Sequence, residues 1–573
     1  MTDELMLNRT PTALAIDGLI LLIYFFGIVG FGLWAGRRNR NLTEFALGGR
    51  SVPWWAVLAS IIAAETSAAT FLGTPAEGFK TRSFIYAQLA IGTILARIIV
   101  AFTFIKPYYH YRVQSIYEFL NIRFGPWTKN LASSIFLFTR VLGIGVRLYL
   151  GGVILKVIWQ YLYPAAEINI WIYFWGILFV TVLTTLYTAI GGIKAVVWTD
   201  FIQASLMMGS IGFTIWLLIS QIPGGLTTIY DQLGGWPAVF QTGLDVRQGW
   251  WLGIRQMLEQ PYTLFAAFIG STFQTMATHG TDQDNVQRML TAKDSRRSQL
   301  SLILSGFADL PVAFGFLLVG ILLFVHYQIA PDPRLPEADN EIFAHYIVTQ
   351  MPIGLRGLIV AGLFATMMGS TSAALNAMAT SFTKDFVQPY FGRSMSDRAT
   401  VYAARAATVG FGILMIGIAT ITAYAVLRDS KLTIIPLALQ SAGYAYGSLL
   451  GVFLLGMLTK RRGQDQANVV GMLAGIAAVL TLCKVQVPAF DLAKLVSYGQ
   501  LSPQDWSFGG FLPDWWPAMA WPWWILTGCC VCVLVSCLFP TPRERVQIAK
   551  ERAGWRGNQV ESGVNSEVPE RQA

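Results

Sequence analysis

Val57-Leu-Ala-Ser-Ile-Ile-Ala-Ala-Glu-Thr-Ser-Ala-Ala-Thr-Phe-Leu-Gly-Thr-Pro-Ala-Glu77 is apolar enough to enter a bilayer, yet its middle is Glu65-Thr66-Ser67, with Thr70, Gly73 and Pro75 close behind. A carboxylate at mid-depth costs several kcal/mol unless something uses it. Hydroxyls, Gly and Pro let a membrane helix break, and a break exposes carbonyls that can hold a cation. The stretch therefore predicts a discontinuous helix lining an ion and solute site.

The rest of the chain supports a membrane setting. Of 573 residues, 54% are hydrophobic and only 13% charged, against roughly 25% charged in soluble proteins. The formal charge of +9 suits cytoplasmic loops better than nucleic acid. The five cysteines fall in late apolar segments and have no metal-ligand spacing with histidine. No cleavable signal, nucleophile–base motif, P-loop or dinucleotide fingerprint is evident.

About thirteen apolar runs reach the roughly 20 residues a span needs. They lie at roughly 14–35, 52–77, 82–106, 129–160, 167–189, 195–221, 257–279, 298–326, 353–384, 399–427, 431–458, 466–485 and 520–540. Arg37, Arg38, Arg40 and Arg50 follow span one, Arg288, Lys293, Arg296 and Arg297 follow span seven, and Lys460, Arg461 and Arg462 follow span eleven. The alternate loops are poorer in such charge, which puts the N-terminus outside and the C-terminus in the cytoplasm. Outer segments at about 222–256 and 486–519 carry Trp236, Trp250, Trp251, Trp506, Trp515 and Trp516, as an interfacial belt does. Residues 1–541 read as one transmembrane transporter domain, and 542–573 as a polar, disordered cytoplasmic tail. Span seven repeats the polar character of span two in Gly270-Ser-Thr-Phe-Gln-Thr-Met-Ala-Thr-His-Gly280. Interrupted helices five spans apart indicate an inverted repeat, with core halves at about 52–221 and 257–458.

Four constellations carry chemistry. Glu65, Thr66 and Ser67 come first, with a structural Glu–Arg pair as the alternative. Span nine is the second, where Thr366, Ser370, Thr371, Ser372 and Asn376 offer hard oxygens or, alternatively, a small-residue packing seam. Asp200 enters the membrane after the Gly191-Gly192 turn, as an ion or gating group or as a helix cap. Arg140, Arg147 and Lys156 lie in span four. Arg147 suits a carboxylate ligand, and pairing with Glu65 or Asp200 is the competing role.

At these residues the chain resembles the sodium:solute symporter family, over about Phe45 to Lys460. The resemblance rests on Phe45-Ala-Leu-Gly-Gly-Arg-Ser-Val-Pro-Trp-Trp55, Ser115-Ile-Tyr-Glu-Phe-Leu-Asn-Ile-Arg-Phe-Gly125, Tyr187 to Gln203, and Thr281-Asp-Gln-Asp-Asn-Val-Gln-Arg-Met-Leu290. It implies an all-α polytopic membrane protein with a LeuT-type five-plus-five inverted-repeat core. It implies a main sodium site at Ala63, Thr66, Thr366, Gly369 and Ser370. Gly369 stands where the family commonly has a hydroxyl, and Glu65 or the Thr66 hydroxyl is the expected compensation. A second ion site falls on Asp200 and Ser372. Solute contacts fall on Ser67, Thr70, Gln88 and Thr275, joined by Arg147 for an anionic solute.

The expected activity is Na⁺-coupled symport of a small organic solute (sugar, sugar acid or monocarboxylate) by alternating access, in the cell membrane. Na⁺ is the coupling ion, with no other cofactor, no enzyme activity and a monomer as the working unit. Proton coupling through Glu65 is the alternative. A kinase-linked sensor would need a C-terminal signalling domain, and a channel would have no use for the intramembrane carboxylates.

Overall fold

All thirteen apolar runs are helical among the described residues, and the burial of each sorts them into layers. The computed structural model describes residues 11–36, 41–163, 167–247, 249–392, 395–428, 434–488, 505–507 and 509–562. Span one is Pro11–Gly36, and its apolar window is only 17% buried, so it lies at the lipid-facing rim. The apolar window of span nine, within Leu355–Phe391, is 94% buried. A helix apolar on every side with small residues throughout is read as a core helix, and span nine is the axis around which the others pack. Span ten, Asp397–Arg428, returns to the periphery.

The broken helix exists as expected. Trp54–Glu65 and Ala68–Thr81 are separate helices, inclined by 61°. Thr66 and Ser67 are extended, with ψ of 92° and 171°. The outer half docks on span eight, Ser295–Ile329, so closely that a Cβ on Gly320 would stand 1.9 Å from the Pro75 carbonyl oxygen.

The turn between spans five and six lies where expected: within Ile170–Gln221 the helix is broken at Gly192, with φ 58° and ψ −158°. That region is essentially closed to residues with a Cβ. Span seven is not unwound over its polar run: Ser271–Gly280 is regular helix, and the irregularity is a π-turn just before it, Ala266–Gly270. Such a bulge widens the helix by one residue and re-aims the turns beyond it. The tail expected to be disordered begins as a helix, Arg543–Ser562, and its last residues lie outside the described ones. The outer 486–519 segment contributes a short antiparallel pair, Gln486–Pro488 with Asp505–Ser507.

Candidate functional site

A helix end leaves its last carbonyls without intrahelical partners, and the break at Thr66 places such an end in the protein interior. The Ala63 carbonyl faces span nine at Gly369: a Cβ there would lie 3.8 Å from Ala63 O, 3.4 Å from Asp200 Oδ1 and 2.9 Å from Gln203 Oε1. Thr66, Thr366, Ser370 and Ser372 are all buried. Thr366 Oγ1 donates to Leu363 O (2.8 Å), Ser370 Oγ to Thr366 O (3.1 Å) and Ser372 Oγ to Gly369 O (3.0 Å). Because each hydroxyl proton is spent on its own helix, the oxygen lone pairs are what remain for a cation. Oxygen-only surroundings suit Na⁺ by the logic of hard cations.

Glu65 does not join that cradle. Its carboxylate accepts from Arg97 Nη2 on span three at 2.6 Å, and His279 Nε2 of span seven lies against it. Arg97 also donates to Ser305 Oγ (3.2 Å) and lies 3.9 Å from Asp309, both on span eight. One ionic cluster thus ties spans two, three, seven and eight. The expected compensation of Gly369 by Glu65 is corrected to the Glu–Arg pairing role. The partner is Arg97, an intramembrane charge in 82–106 that the same argument from cost would have singled out.

A second polar network surrounds Asp200 and the 282–288 helix. Ser60 Oγ donates to Asp200 Oδ2 (2.6 Å), and Arg288, wholly buried, donates to Ser60 Oγ (2.9 Å) and to Asp284 Oδ1 (2.8 Å). Arg140 pairs with Asp282 and Asp284, and Tyr446 Oη donates to Asp282 Oδ2 (2.6 Å). Lys156 pairs with Glu341 (2.9 Å). None of these cations reaches Glu65, and the cation at Asp200 is Arg288, not a span-four side chain.

Between the two networks lies a cavity of about 520 Å³, lined by Glu65, Ser67, Thr70, Arg147, Gln274 and Thr278 on its polar side and by Tyr86, Tyr262, Tyr446, Trp521 and Trp524 on its aromatic side. A contiguous space of about 300 Å³ adds Thr275, whose hydroxyl is 3.4 Å from that of Thr93. A further open chamber of about 540 Å³ shares Glu77, Tyr86 and Tyr262 with the first, so these residues line both. Arg147 is half-buried on the cavity wall, and its Nε has no hydrogen-bond partner among the described residues. No described carboxylate lies within ion-pair distance of it, in contrast to Arg97 and Arg140. Gln88 is corrected: its amide donates to Tyr262 O (2.9 Å) and accepts from Gln241 N (3.2 Å), stitching outer backbone together rather than facing solute.

A broken helix, buried hydroxyl and carbonyl oxygens opposite its break and a polar and aromatic cavity beside it are features of a membrane transporter. The family model named sodium:solute symporter family matches residues 45–475, and the chain belongs to that family. It is 27% identical over 469 residues to the sodium/sialic acid symporter SiaT of Proteus mirabilis, covering 81% of this chain and 89% of that protein. It is 28% identical to the sodium/glucose cotransporter of Vibrio parahaemolyticus, covering 83% and 87%, and 27% identical to human sodium-coupled monocarboxylate transporter 1, covering 80% and 70%. The solved substrate-bound, outward-open structure of a Na⁺-coupled sialic acid symporter superposes with a TM-score of 0.73 at 22% identity, covering 92% of this chain and 99% of that one. The fold is therefore the all-α LeuT-type symporter fold. The protein is a Na⁺-coupled symporter of a small solute, spanning a membrane many times, and not an enzyme.

Proposed function

We propose that this symporter imports a small organic acid, with its carboxylate held by Arg147. The observation that carries this reading is a lone cation on the cavity wall, with its Nε buried and unpartnered among the described residues. A guanidinium in that state presents a planar fork that a carboxylate matches with two parallel bonds. Ser67, Thr70 and Thr275 supply hydroxyls for the solute body, and the aromatic side covers its apolar face. A cavity of about 520 Å³ admits a sugar acid or a compact monocarboxylate.

Na⁺ binds between spans two and nine, at the carbonyls of Ala63, Thr66 and Thr366 and the hydroxyl of Ser370, with Asp200 and Ser372 as the second ion site. Ion binding there favours the state open toward the chamber beside residues 232–241, and that differential affinity is what couples ion to solute. In this reading the chamber faces outside, the ionic network around Arg288 seals the cytoplasmic side, the membrane is the cell's plasma or inner membrane, and the working unit is a monomer. Residues 1–541 form one transporter domain with core halves at about 52–221 and 257–458, followed by a cytoplasmic tail.

The test is uptake in proteoliposomes across sugars, sugar acids and monocarboxylates under an inward Na⁺ gradient. Organic acids should be the best solutes and their methyl esters poor ones. Equal transport of an acid and its ester would remove the anionic reading.

A further inference from the structure

We propose that span thirteen completes the solute cavity, and that its Trp521 selects organic acids whose body is a ring. This deepens the reading that the cavity holds its solute through Arg147, and rests on it. The helix of span thirteen is Pro522–Cys537, capped by Trp521, and it follows both proposed core halves in the chain. Yet Trp521, Trp524 and Ile525 line the cavity of about 520 Å³. Trp521 and Arg147 both line the contiguous space of about 300 Å³ as well. One solute can therefore meet the guanidinium with its carboxylate and the indole with its body.

Glycines bring this helix to the cavity. Gly443, Gly447 and Gly451 recur every fourth residue and so share one face of span eleven. A Cβ at 443 would stand 3.2 Å from Trp524 Cε3, one at 447 would stand 2.5 Å from Ile525 O, and one at 451 would stand 2.8 Å from Cys532 Cβ. Small residues let membrane helices approach this closely, so the first turn of span thirteen reaches the cavity beside span eleven. Its other flank is span seven. A Cβ on Gly270, the last residue of the π-turn, would stand 2.6 Å from Pro522 Cβ. The π-turn thus seats the start of span thirteen, and Ala520 N donates to Leu258 O (2.8 Å) just before it.

The two indoles differ in how they are held. Trp524 is buried, stacked on Tyr444 with ring centroids 5.2 Å apart, and its Nε1 donates to Met519 O (2.8 Å). It is a fixed part of the wall. Trp521 is half-buried and lines both spaces. An indole offers a rigid flat face. A ring covers that face with one of its own and has few torsions to freeze, whereas an open chain covers it in part and loses rotamer freedom on binding. An aromatic ring and the C–H face of a sugar ring share this chemistry, and the hydroxyls of Ser67 and Thr70 remain for polar groups on the ring edge.

The test is inhibition of labelled organic-acid uptake in proteoliposomes at saturating Na⁺. The inhibitors are phenylacetate, glucuronate and gluconate, which share a carboxylate and carry an aromatic ring, a sugar ring and an open chain. In wild type the better ring acid should act at a concentration about tenfold below that of gluconate. A preference carried by either ring acid supports the proposal, and the stronger one identifies the ring. Trp521→Ala should weaken the ring acid about tenfold and gluconate less than about twofold, with Na⁺ half-saturation and unfolding temperature in detergent unchanged. Trp521→Phe should restore the preference. No ring preference in wild type, or an undiminished one in Trp521→Ala, overturns the proposal. So does an equal loss for all three acids with a lower unfolding temperature, which would make Trp521 an interfacial anchor. Should Trp521→Ala not fold, Trp521→Leu keeps the bulk without the flat face and is read in the same way. Equal inhibition of wild type by an acid and its methyl ester would instead overturn the Arg147 reading, a separate failure.

Discussion

Replacing Arg147 by Gln removes a charge and keeps much of the reach of the side chain. This guanidinium has no carboxylate within ion-pair distance among the described residues, and its Nε makes no hydrogen bond there. The substitution therefore breaks no described ion pair, unlike any change at Arg97, Arg140 or Arg288. It also removes a partly desolvated charge, so the unfolding temperature of the solute-free protein should hold or rise. With solute bound, the loss is two charge-assisted bonds, each worth about 1.5–3 kcal/mol. Taking about 3 kcal/mol for the pair, with 1.4 kcal/mol per tenfold change, gives roughly a 100-fold rise in KM. Arg147→Lys keeps the charge and one bond, so its rise should be about tenfold. The assay is initial uptake of a labelled organic acid into proteoliposomes at saturating Na⁺, with thermal unfolding in detergent alongside. A KM within threefold of wild type for Arg147→Gln, in protein of unchanged stability, would refute the carboxylate assignment. So would a fall in the unfolding temperature as large as that of Arg97→Gln, because Arg147 would then be a structural charge.

Glu65→Gln leaves buried Arg97 with only the more distant Asp309 carboxylate (3.9 Å) as counter-ion, at a cost of up to about 3 kcal/mol, so unfolding temperature should drop while Na⁺ half-saturation moves less than threefold. A tenfold shift in Na⁺ dependence at intact stability would return Glu65 to the ion site. Ser370→Ala removes one hydroxyl oxygen from the cradle and should raise the Na⁺ concentration for half-maximal uptake about tenfold; an unchanged value would sink that placement. Gly192→Ala forces a Cβ into the backbone conformation at φ 58° and ψ −158°, at about 1–3 kcal/mol, which thermal unfolding in detergent reads directly. Full wild-type stability there would show that the turn rearranges freely.

The architecture is legible in the sequence because the bilayer leaves few options. Length and hydropathy locate the spans, and the cost of a mid-membrane carboxylate marks the break at Thr66–Ser67. The pairings stay hidden. Arg97 lies 32 residues from Glu65 and Arg288 lies 88 from Asp200, and no spacing rule joins residues on different spans. Position in the chain directs Glu65 toward Gly369 because both sit at the expected ion site, whereas the carboxylate pairs with Arg97 and His279. Span seven shows the limit of composition: hydroxyl- and Gly-rich sequence permits unwinding, yet Ser271–Gly280 stays helical and the π-turn at Ala266–Gly270 takes up the irregularity. Gln88 misleads for a related reason, since polarity near a cavity does not say which way an amide faces.

The central claim is that Na⁺ held at the broken helix drives entry of an organic acid. The direct measurement is uptake of the best organic acid into proteoliposomes carrying wild-type protein. One sample has an inward Na⁺ gradient, one an equal inward H⁺ gradient without Na⁺, and one no gradient. Transient accumulation above equilibrium with the Na⁺ gradient alone, lost when the gradient is collapsed by a Na⁺ ionophore, is the predicted result. Accumulation with the H⁺ gradient alone, or equal uptake in all three samples, would contradict it.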